Sequence, residues 1–170
     1  MSMQYDVKSG HLNQSGFFVL GRQRVKGLVS IPSTTTAGTV ELFDTATAPI
    51  AATYERVGTA INVTKSNHGL LPGQRIGIAF LSASGASATD GNYVIDTATT
   101  NTFTLTDINS GSIAAGTTCR YALGFGYLMS FDTNPSTVAV PMPVPGEGLL
   151  AQNGVYAYMN NQLSLAIFYG

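Results

Sequence analysis

Short runs of alternating apolar and polar residues dominate the chain, and clusters of turn-forming residues interrupt them at short intervals. Alternation with a period of two places successive side chains on opposite faces of a strand. No stretch keeps the three-to-four spacing of an amphipathic helix beyond one turn. The pattern therefore predicts an all-β protein. Outside the middle of the chain, the predicted strands lie at residues 16–20, 22–31, 39–44, 127–132 and 137–140.

The end of the chain predicts a closing β-hairpin. Residues 155–159 are β-branched or aromatic, and residues 162–169 resume an extended pattern. Between them, Asn160 and Asn161 can adopt the positive φ that a two-residue turn demands. An isolated hairpin is marginal in water, so it needs a sheet made by the rest of the chain. We expect residues 17–31 to lie beside it in that sheet.

The middle of the chain has its own complete set of strands and turns from Gly58 onward. Residues 82–91 are small and polar, which predicts an exposed loop. The fold class predicted for the whole chain is an antiparallel, jelly-roll-like β-sandwich that is interrupted by a small β-barrel insertion. The sandwich is discontinuous and comprises residues 1–57 and 122–170, and the barrel comprises residues 58–121.

Charged residues make up only 10% of the composition, and the formal net charge is −1. An average soluble protein has about 25% charged residues. A weakly charged surface suits a protein that packs into an assembly, and it argues against nucleic acid as a partner. No apolar run approaches the length of a membrane span, and the first residues do not resemble a secretion signal. We therefore expect no membrane contact and a protein that is made and kept in solution.

Few residues offer chemistry. The single cysteine, Cys119, excludes an intrachain disulfide and a thiolate zinc site, and a small buried residue is the simpler interpretation. The two histidines, His11 and His68, lack the spacing of metal ligands. Four aspartates fall in predicted turns or strand ends, where Asp commonly forms turns: Asp90, Asp96, Asp107 and Asp132. We expect no catalytic residue, no cofactor and no metal site. A third class of function, after the two structural roles given below, is a polysaccharide hydrolase that uses a pair of these aspartates.

Exposed cationic and aromatic positions suggest an interface instead. Arg22, Arg24 and Lys26 share one face of a predicted strand, where they either grip an acidic neighbour or form a solvated edge. A strand that is apolar on both faces needs a second cover, either the opposite sheet or another subunit. We favour a homo-oligomer, such as a trimer. The predicted interface residues are Arg22, Arg24, Lys26, Tyr156, Tyr158, Phe168 and Tyr169.

A first resemblance is carried by blocks within the insert. They are Ile61-Asn62-Val63-Thr64, Asn67-His68-Gly69-Leu70, Pro72-Gly73-Gln74-Arg75-Ile76, Gly91-Asn92-Tyr93-Val94-Ile95 and Asn101-Thr102-Phe103-Thr104-Leu105. These blocks resemble the small β-barrel module named after the first catalytic-cysteine half-domain of ubiquitin-activating enzymes. That module recurs as a decorating insert in bacteriophage virion proteins. The resemblance implies no ubiquitin chemistry, because the module does not hold the activating cysteine.

A second resemblance is carried by the flanks. The blocks are Gly21-Arg22-Gln23-Arg24-Val25-Lys26-Gly27-Leu28, Val40-Glu41-Leu42-Phe43-Asp44, Pro145-Gly146-Glu147-Gly148-Leu149-Leu150, Asn153-Gly154-Val155-Tyr156 and Ile167-Phe168-Tyr169-Gly170. They resemble small β-sandwich proteins of marine tailed phages.

This second resemblance implies a non-enzymatic structural protein, synthesised in the host cytoplasm and located in the virion. The expected role is a capsid decoration or cement protein that binds itself and the major capsid protein or another virion protein. The alternative is a binding module of a tail fibre or head fibre, whose loop at residues 82–91 contacts a host surface glycan.

Overall fold

The computed structural model describes residues 7–80, 87–124 and 126–170, and all of the regular elements in these residues are β-strands. The all-β prediction is confirmed. Within the described residues, no helix is long and apolar enough to cross a membrane. In chain order the strands are β1 Lys8–Leu12, β2 Gly16–Leu20, β3 Gln23–Pro32, β4 Gly38–Asp44, β5 Ile50–Thr64, β6 Arg75–Phe80, β7 Gly91–Val94, β8 Thr97–Ala98, β9 Thr102–Leu123, β10 Tyr127–Thr133, β11 Val140–Pro143, β12 Leu149–Ala151, β13 Gly154–Asn160 and β14 Gln162–Tyr169.

The chain divides into two compact units. The sandwich unit comprises Met1–Ala48 and Leu128–Gly170, and the inserted unit comprises Pro49–Tyr127. The predicted boundaries, at residues 58 and 121, lie inside the observed ones. They differ because residues 50–56, which the predicted bounds assigned to the sandwich, are the first half of β5 and pair with β9. In the sandwich unit, the strands on either side of the insertion, β4 and β10, are neighbours.

Two antiparallel sheets form the sandwich unit, as predicted. Sheet A has the order β1-β14-β3-β11, with β12 also paired to β3, and sheet B has the order β10-β4-β13-β2. Both sheets contribute alternate residues to one core, which is the packing expected for a sandwich. The buried core residues are Val25, Leu28, Val40, Leu42, Ala151, Val155, Ala157, Leu165 and Ile167.

The first and last strands meet in sheet A. Strand β14 pairs with β3 on one side, with Ile167 opposite Leu28, and with β1 on the other side, with Ile167 opposite Gly10. The prediction that residues 17–31 lie beside residues 163–169 is therefore confirmed for β3, whereas β2 lies in sheet B and pairs with β13.

The predicted closing hairpin is wrong. Strand β13 lies in sheet B and β14 lies in sheet A, so the chain crosses from one sheet to the other at Asn161 instead of folding back within a sheet. Asn161 does adopt the expected positive φ, at 53°. Its side chain donates to the backbone oxygen of Ala37, and its own backbone oxygen accepts from Ser33. The crossing is favoured because it places the apolar faces of β13 and β14 opposite each other in the core.

The inserted unit contains one sheet of order β5-β9-β6-β7, with β8 paired to β9. The predicted barrel is not found in the described residues, because the sheet does not close: β5 and β7 are its ends and do not pair. The rings of Phe103 and Tyr121 lie on the same strand, yet their centroids are only 5.4 Å apart. A straight strand of that length would separate them by roughly 60 Å. The ribbon of β5 and β9 therefore folds over on itself and covers its own core.

Candidate functional site

A buried ion pair joins β5 to β9 in the inserted unit. Nη2 of Arg56 lies 3.1 Å from Oδ2 of Asp107, and the two side chains are 2% and 1% exposed. The same guanidinium donates hydrogen bonds to the backbone oxygens of Gly58 (3.1 Å), Ser87 (2.5 Å) and Asn109. Arg56 therefore holds three backbone segments around one buried positive charge.

The pairing of β5 with β9 shifts register beside this arginine. Gly58 pairs with Gly111, but Ala60 pairs with Thr106, so residues 107–110 of β9 bulge out of the ladder. Gly58 has a φ of +65°, which a glycine adopts without strain. Bulges re-aim side chains and occur often beside functional sites. Within this 107–110 bulge, the side chain of Ile108 is 91% exposed.

Backbone amides complete the surroundings of Asp107. Its Oδ2 accepts from the Thr89 amide at 2.7 Å, and its Oδ1 accepts from the Asn109 amide at 3.1 Å. Burial raises the pKa of Asp107, but these hydrogen bonds and the charge of Arg56 outweigh burial and hold the pKa below its usual value. The carboxylate is therefore ionised at neutral pH, and it ties the residues before β7 to the 107–110 bulge.

An open groove of about 450 Å³ lies between the 107–110 bulge and β7. We call it the groove throughout. Among the described residues, no lysine or arginine lines it, whereas residues with hydroxyl, amide and carboxylate groups do. Its lining residues are Thr89, Asp90, Gly91, Asn92, Tyr93, Val94, Asp96, Thr106, Asp107 and Ile108.

Hydrogen bonds orient several polar groups of the groove. The Thr106 hydroxyl donates to Oδ2 of Asp96 at 2.9 Å, and the Thr89 hydroxyl oxygen accepts from the side-chain amide of Asn109 at 2.9 Å. The Tyr93 hydroxyl donates to the backbone oxygen of Thr89 at 2.5 Å. Burial and the nearby carboxylates raise the pKa of Tyr93, so its phenol stays protonated.

The structure brings together three of the four aspartates considered for catalysis. Asp90, Asp96 and Asp107 all line the groove, whereas Asp132 lies on β10 in the sandwich unit. Asp107 is held by the ion pair, and Oδ1 of Asp90 accepts from the Phe80 amide at 2.7 Å. These contacts give both residues a structural role in positioning the backbone.

The two histidines and the cysteine lie on separate segments of the chain. His11 lies on β1, and Cys119 is buried on β9. The His68 ring accepts from the Leu70 amide through Nδ1 at 3.0 Å, and its Nε2 lies 3.2 Å from the Thr102 backbone oxygen. These contacts require the tautomer with a proton on Nε2. Among the residues that the structure describes, no cluster of three or more His, Cys, Asp or Glu side chains is placed to hold a metal ion.

The predicted interface residues of sheet A fall on its outer face, with one exception. Arg24 and Lys26 are half-buried on β3 and donate to the Glu147 backbone oxygen at 3.5 and 2.9 Å, while Arg22 is exposed just before the strand. Phe168 is 38% exposed on β14. Tyr169, the exception, packs against the sandwich core.

Tyr156 and Tyr158 lie on β13 in sheet B, and both are half-buried. They alternate with the buried residues Val155 and Ala157, so they lie on the outer face of that sheet. The ring of Tyr156 meets Phe17 edge-on at 4.9 Å. The seven predicted residues therefore do not form one patch, and their role as an interface stays a prediction.

Sequence reasoning missed the groove and the buried arginine. One signal was present: Ala52, Tyr54 and Arg56 alternate along β5, so the arginine falls on the same face as two buried residues. A cation on a core face needs a buried partner. The partner, Asp107, is far away in the sequence, and only the register of β5 against β9 identifies it.

No protein-family model and no curated protein matches the chain. A solved structure described as the endosialidase of phage phi92 matches with a TM-score of 0.34 and 18% sequence identity. The match covers 81% of this chain and 20% of the endosialidase chain. A similarity at this level shows neither the fold nor the function of this chain.

Proposed function

We propose that this chain is a non-enzymatic structural protein of a bacteriophage particle, specifically a capsid decoration protein that binds the major capsid protein. The sequence blocks described above suggest the phage setting. The structural observation that carries the proposal is the composition of the outer face of sheet A.

The outer face of sheet A is both basic and apolar. Ile31 and Phe168 are each 38% exposed there, and Arg24 and Lys26 lie on the same face of β3. The strands β1, β3 and β14 contain no aspartate or glutamate. Exposed apolar side chains that are rimmed by polar ones mark protein interaction sites. The charge complement of this face is an acidic surface, so the expected contact is an acidic and apolar patch on the capsid protein.

A decoration protein stabilises a shell by mass action. It binds the assembled lattice and not the dissociated subunits, so it adds free energy that grows with the logarithm of its concentration over its dissociation constant. A sandwich whose chain ends are paired in one sheet is suited to this role, because it presents a preformed face. Oligomerisation through Tyr156 and Tyr158 belongs to the same proposal.

The test is binding of the purified protein to undecorated heads. Ile31→Ser and Phe168→Ser should each weaken binding, and Lys26→Glu should weaken it most at low salt, because screening reduces the charge contribution. Leu71→Ser is the matched control, since Leu71 is 63% exposed but lies in the inserted unit. Unchanged binding of all three sheet A variants contradicts the proposed docking face.

The second candidate is a binding module of a tail fibre or head fibre that contacts host surface glycans. The groove of the inserted unit favours it, because it offers hydroxyl, amide and carboxylate groups beside an exposed isoleucine. Localisation in a cryo-electron microscopy map of the particle separates the two candidates. A decoration protein covers the shell in proportion to the capsid protein, whereas a fibre module is found only at a vertex or on the tail.

A further inference from the structure

We infer that the groove binds a neutral saccharide. This inference rests on the second candidate function, contact with host glycans, and names the class of ligand. It is carried by the polar groups that the groove presents, by its apolar side, by the absence of a lining cation and by the rigidity of the bulge that forms one wall.

The hydroxyls of the groove have defined free capacities. The Thr89 oxygen accepts from the Asn109 side chain, and its O–H is directed to the Asp107 carboxylate, so this hydroxyl is already engaged. The Thr106 O–H already donates to Asp96, so its oxygen can accept. Sugar hydroxyls readily donate, so vicinal hydroxyls match a site that offers several acceptors. The exposed carboxylate of Asp96 adds acceptor capacity at the same place.

Two apolar side chains border these polar groups. Ile108 is 91% exposed and Val94 is 48% exposed, and both line the groove. Ligand sites combine apolar contact area with a few placed polar groups that set orientation. The C–H face of a pyranose ring would cover both side chains while its hydroxyls reach Thr106 and Asp96.

The charges of the groove select against anionic ligands. Asp90 and Asp96 both line it, and Arg56, the cation nearest to Asp107, is buried and already paired. A negatively charged ligand group is repelled by a carboxylate that lies close to it. Acidic sugars and nucleic acid are therefore disfavoured, and a neutral saccharide is the class that remains compatible with both the hydroxyls and the apolar border.

The wall that carries Ile108 is held in place before any ligand arrives. The Arg56–Asp107 pair and its backbone hydrogen bonds tie the 107–110 bulge to residues 87–89. A preorganised site loses little conformational entropy on binding. The buried ion pair thus holds in place an isoleucine that belongs to neither core cluster of the described residues.

The experiment titrates the isotope-labelled full chain with maltoheptaose, cellohexaose, chitohexaose and a neutral galactan oligosaccharide, followed by two-dimensional NMR. Polysialic acid and a lysine-rich peptide serve as comparison probes. We expect at least one neutral sugar to shift the amide resonances of residues 89–96 and 106–108. In that titration Ile108→Ser should weaken binding roughly tenfold, because it removes one apolar contact. Val57→Ser is the control, since Val57 is 75% exposed on β5 but does not line the groove.

The inference is overturned if none of the neutral sugars shifts the groove resonances, if only polysialic acid or the peptide does so, or if Ile108→Ser binds like the unaltered chain. The copy number per particle is measured in parallel, for the unaltered chain and for the Ile108→Ser protein. Normal incorporation with no sugar binding by the unaltered chain overturns this inference alone. A lack of incorporation of the unaltered chain contradicts the virion proposal. In that case the sugar titration alone still decides whether the groove binds a neutral saccharide.

Discussion

Replacing Arg56 by methionine should strongly destabilise the inserted unit. The change removes the partner of a carboxylate that is 1% exposed, together with the donors to three backbone oxygens. Breaking a buried ion pair by removing one partner costs about 3 to 5 kcal/mol. For a unit of this size, 1 kcal/mol corresponds to a shift in Tm of about 4 to 8 °C. We therefore expect Tm of the inserted unit to fall by at least about 12 °C.

Calorimetry measures the loss, and hydrogen exchange of backbone amides assigns it to residues 49–127. Lys65→Met is the matched control: it removes a cation from the same unit at a half-buried site, and it should change stability by less than about 0.5 kcal/mol. The double variant Arg56→Met/Asp107→Leu should lose less than the sum of the two single changes, because neither charge is then left alone. A loss below about 1 kcal/mol for Arg56→Met would refute the assignment of the pair as the organiser of the bulge.

The same pair predicts an acid sensitivity. The pKa of Asp107 is lower in the folded chain than its ordinary value of 3.8, so the stabilisation is present above that value and is lost as the pH falls through the lower, folded pKa. Denaturant unfolding between pH 6 and strongly acid conditions should therefore show a steeper loss for the unaltered chain than for Asp107→Asn, which has no carboxyl to protonate. Parallel curves for the two proteins would contradict the lowered pKa.

Two further changes probe other parts of the fold. Asp44 accepts three backbone amides from residues 152–154, so Asp44→Ala should destabilise the sandwich unit by about 2 to 4 kcal/mol, and an unchanged midpoint of denaturant unfolding would argue against this clamp. A Cβ on Gly77 would overlap the backbone of residues 126–127, whereas one on Gly91 would make an ordinary contact. Gly77→Ala should therefore lower Tm or prevent folding while Gly91→Ala does not, and equal Tm values for the two would contradict the close approach.

The position of the insertion has a structural basis. It enters after β4 and leaves before β10, and these two strands are neighbours in sheet B. A connection between adjacent strands can accept a long insert, because the loop-closure entropy grows only slowly with loop length. The entering and leaving strands, β5 and β9, pair with each other from Ile50 opposite Tyr121. The insert therefore closes its own ends.

The closing hairpin could be predicted only in part from the sequence. The extended runs, the positive φ at Asn161 and the apolar residues Leu165 and Ile167 were all predictable. A hairpin and a crossing between two sheets use the same local pattern, because both need a turn between two half-apolar strands. The choice depends on whether the facing apolar surface comes from the next strand or from the opposite sheet, and that surface is made by distant residues.

The order of apolar and polar residues by itself determined that the chain is all-β, where most of its strands lie and, for some strands such as β13, which side is buried. Alternation records the face of a strand, because the pleat repeats every two residues. It does not record the neighbour of a strand. Only the tertiary structure decided that β13 and β14 belong to different sheets and that Arg56 meets Asp107 beside the groove. It also decided that the sheet of the insert does not close into a barrel within the described residues. Those outcomes depend on register and on contacts between distant residues, which no local pattern encodes.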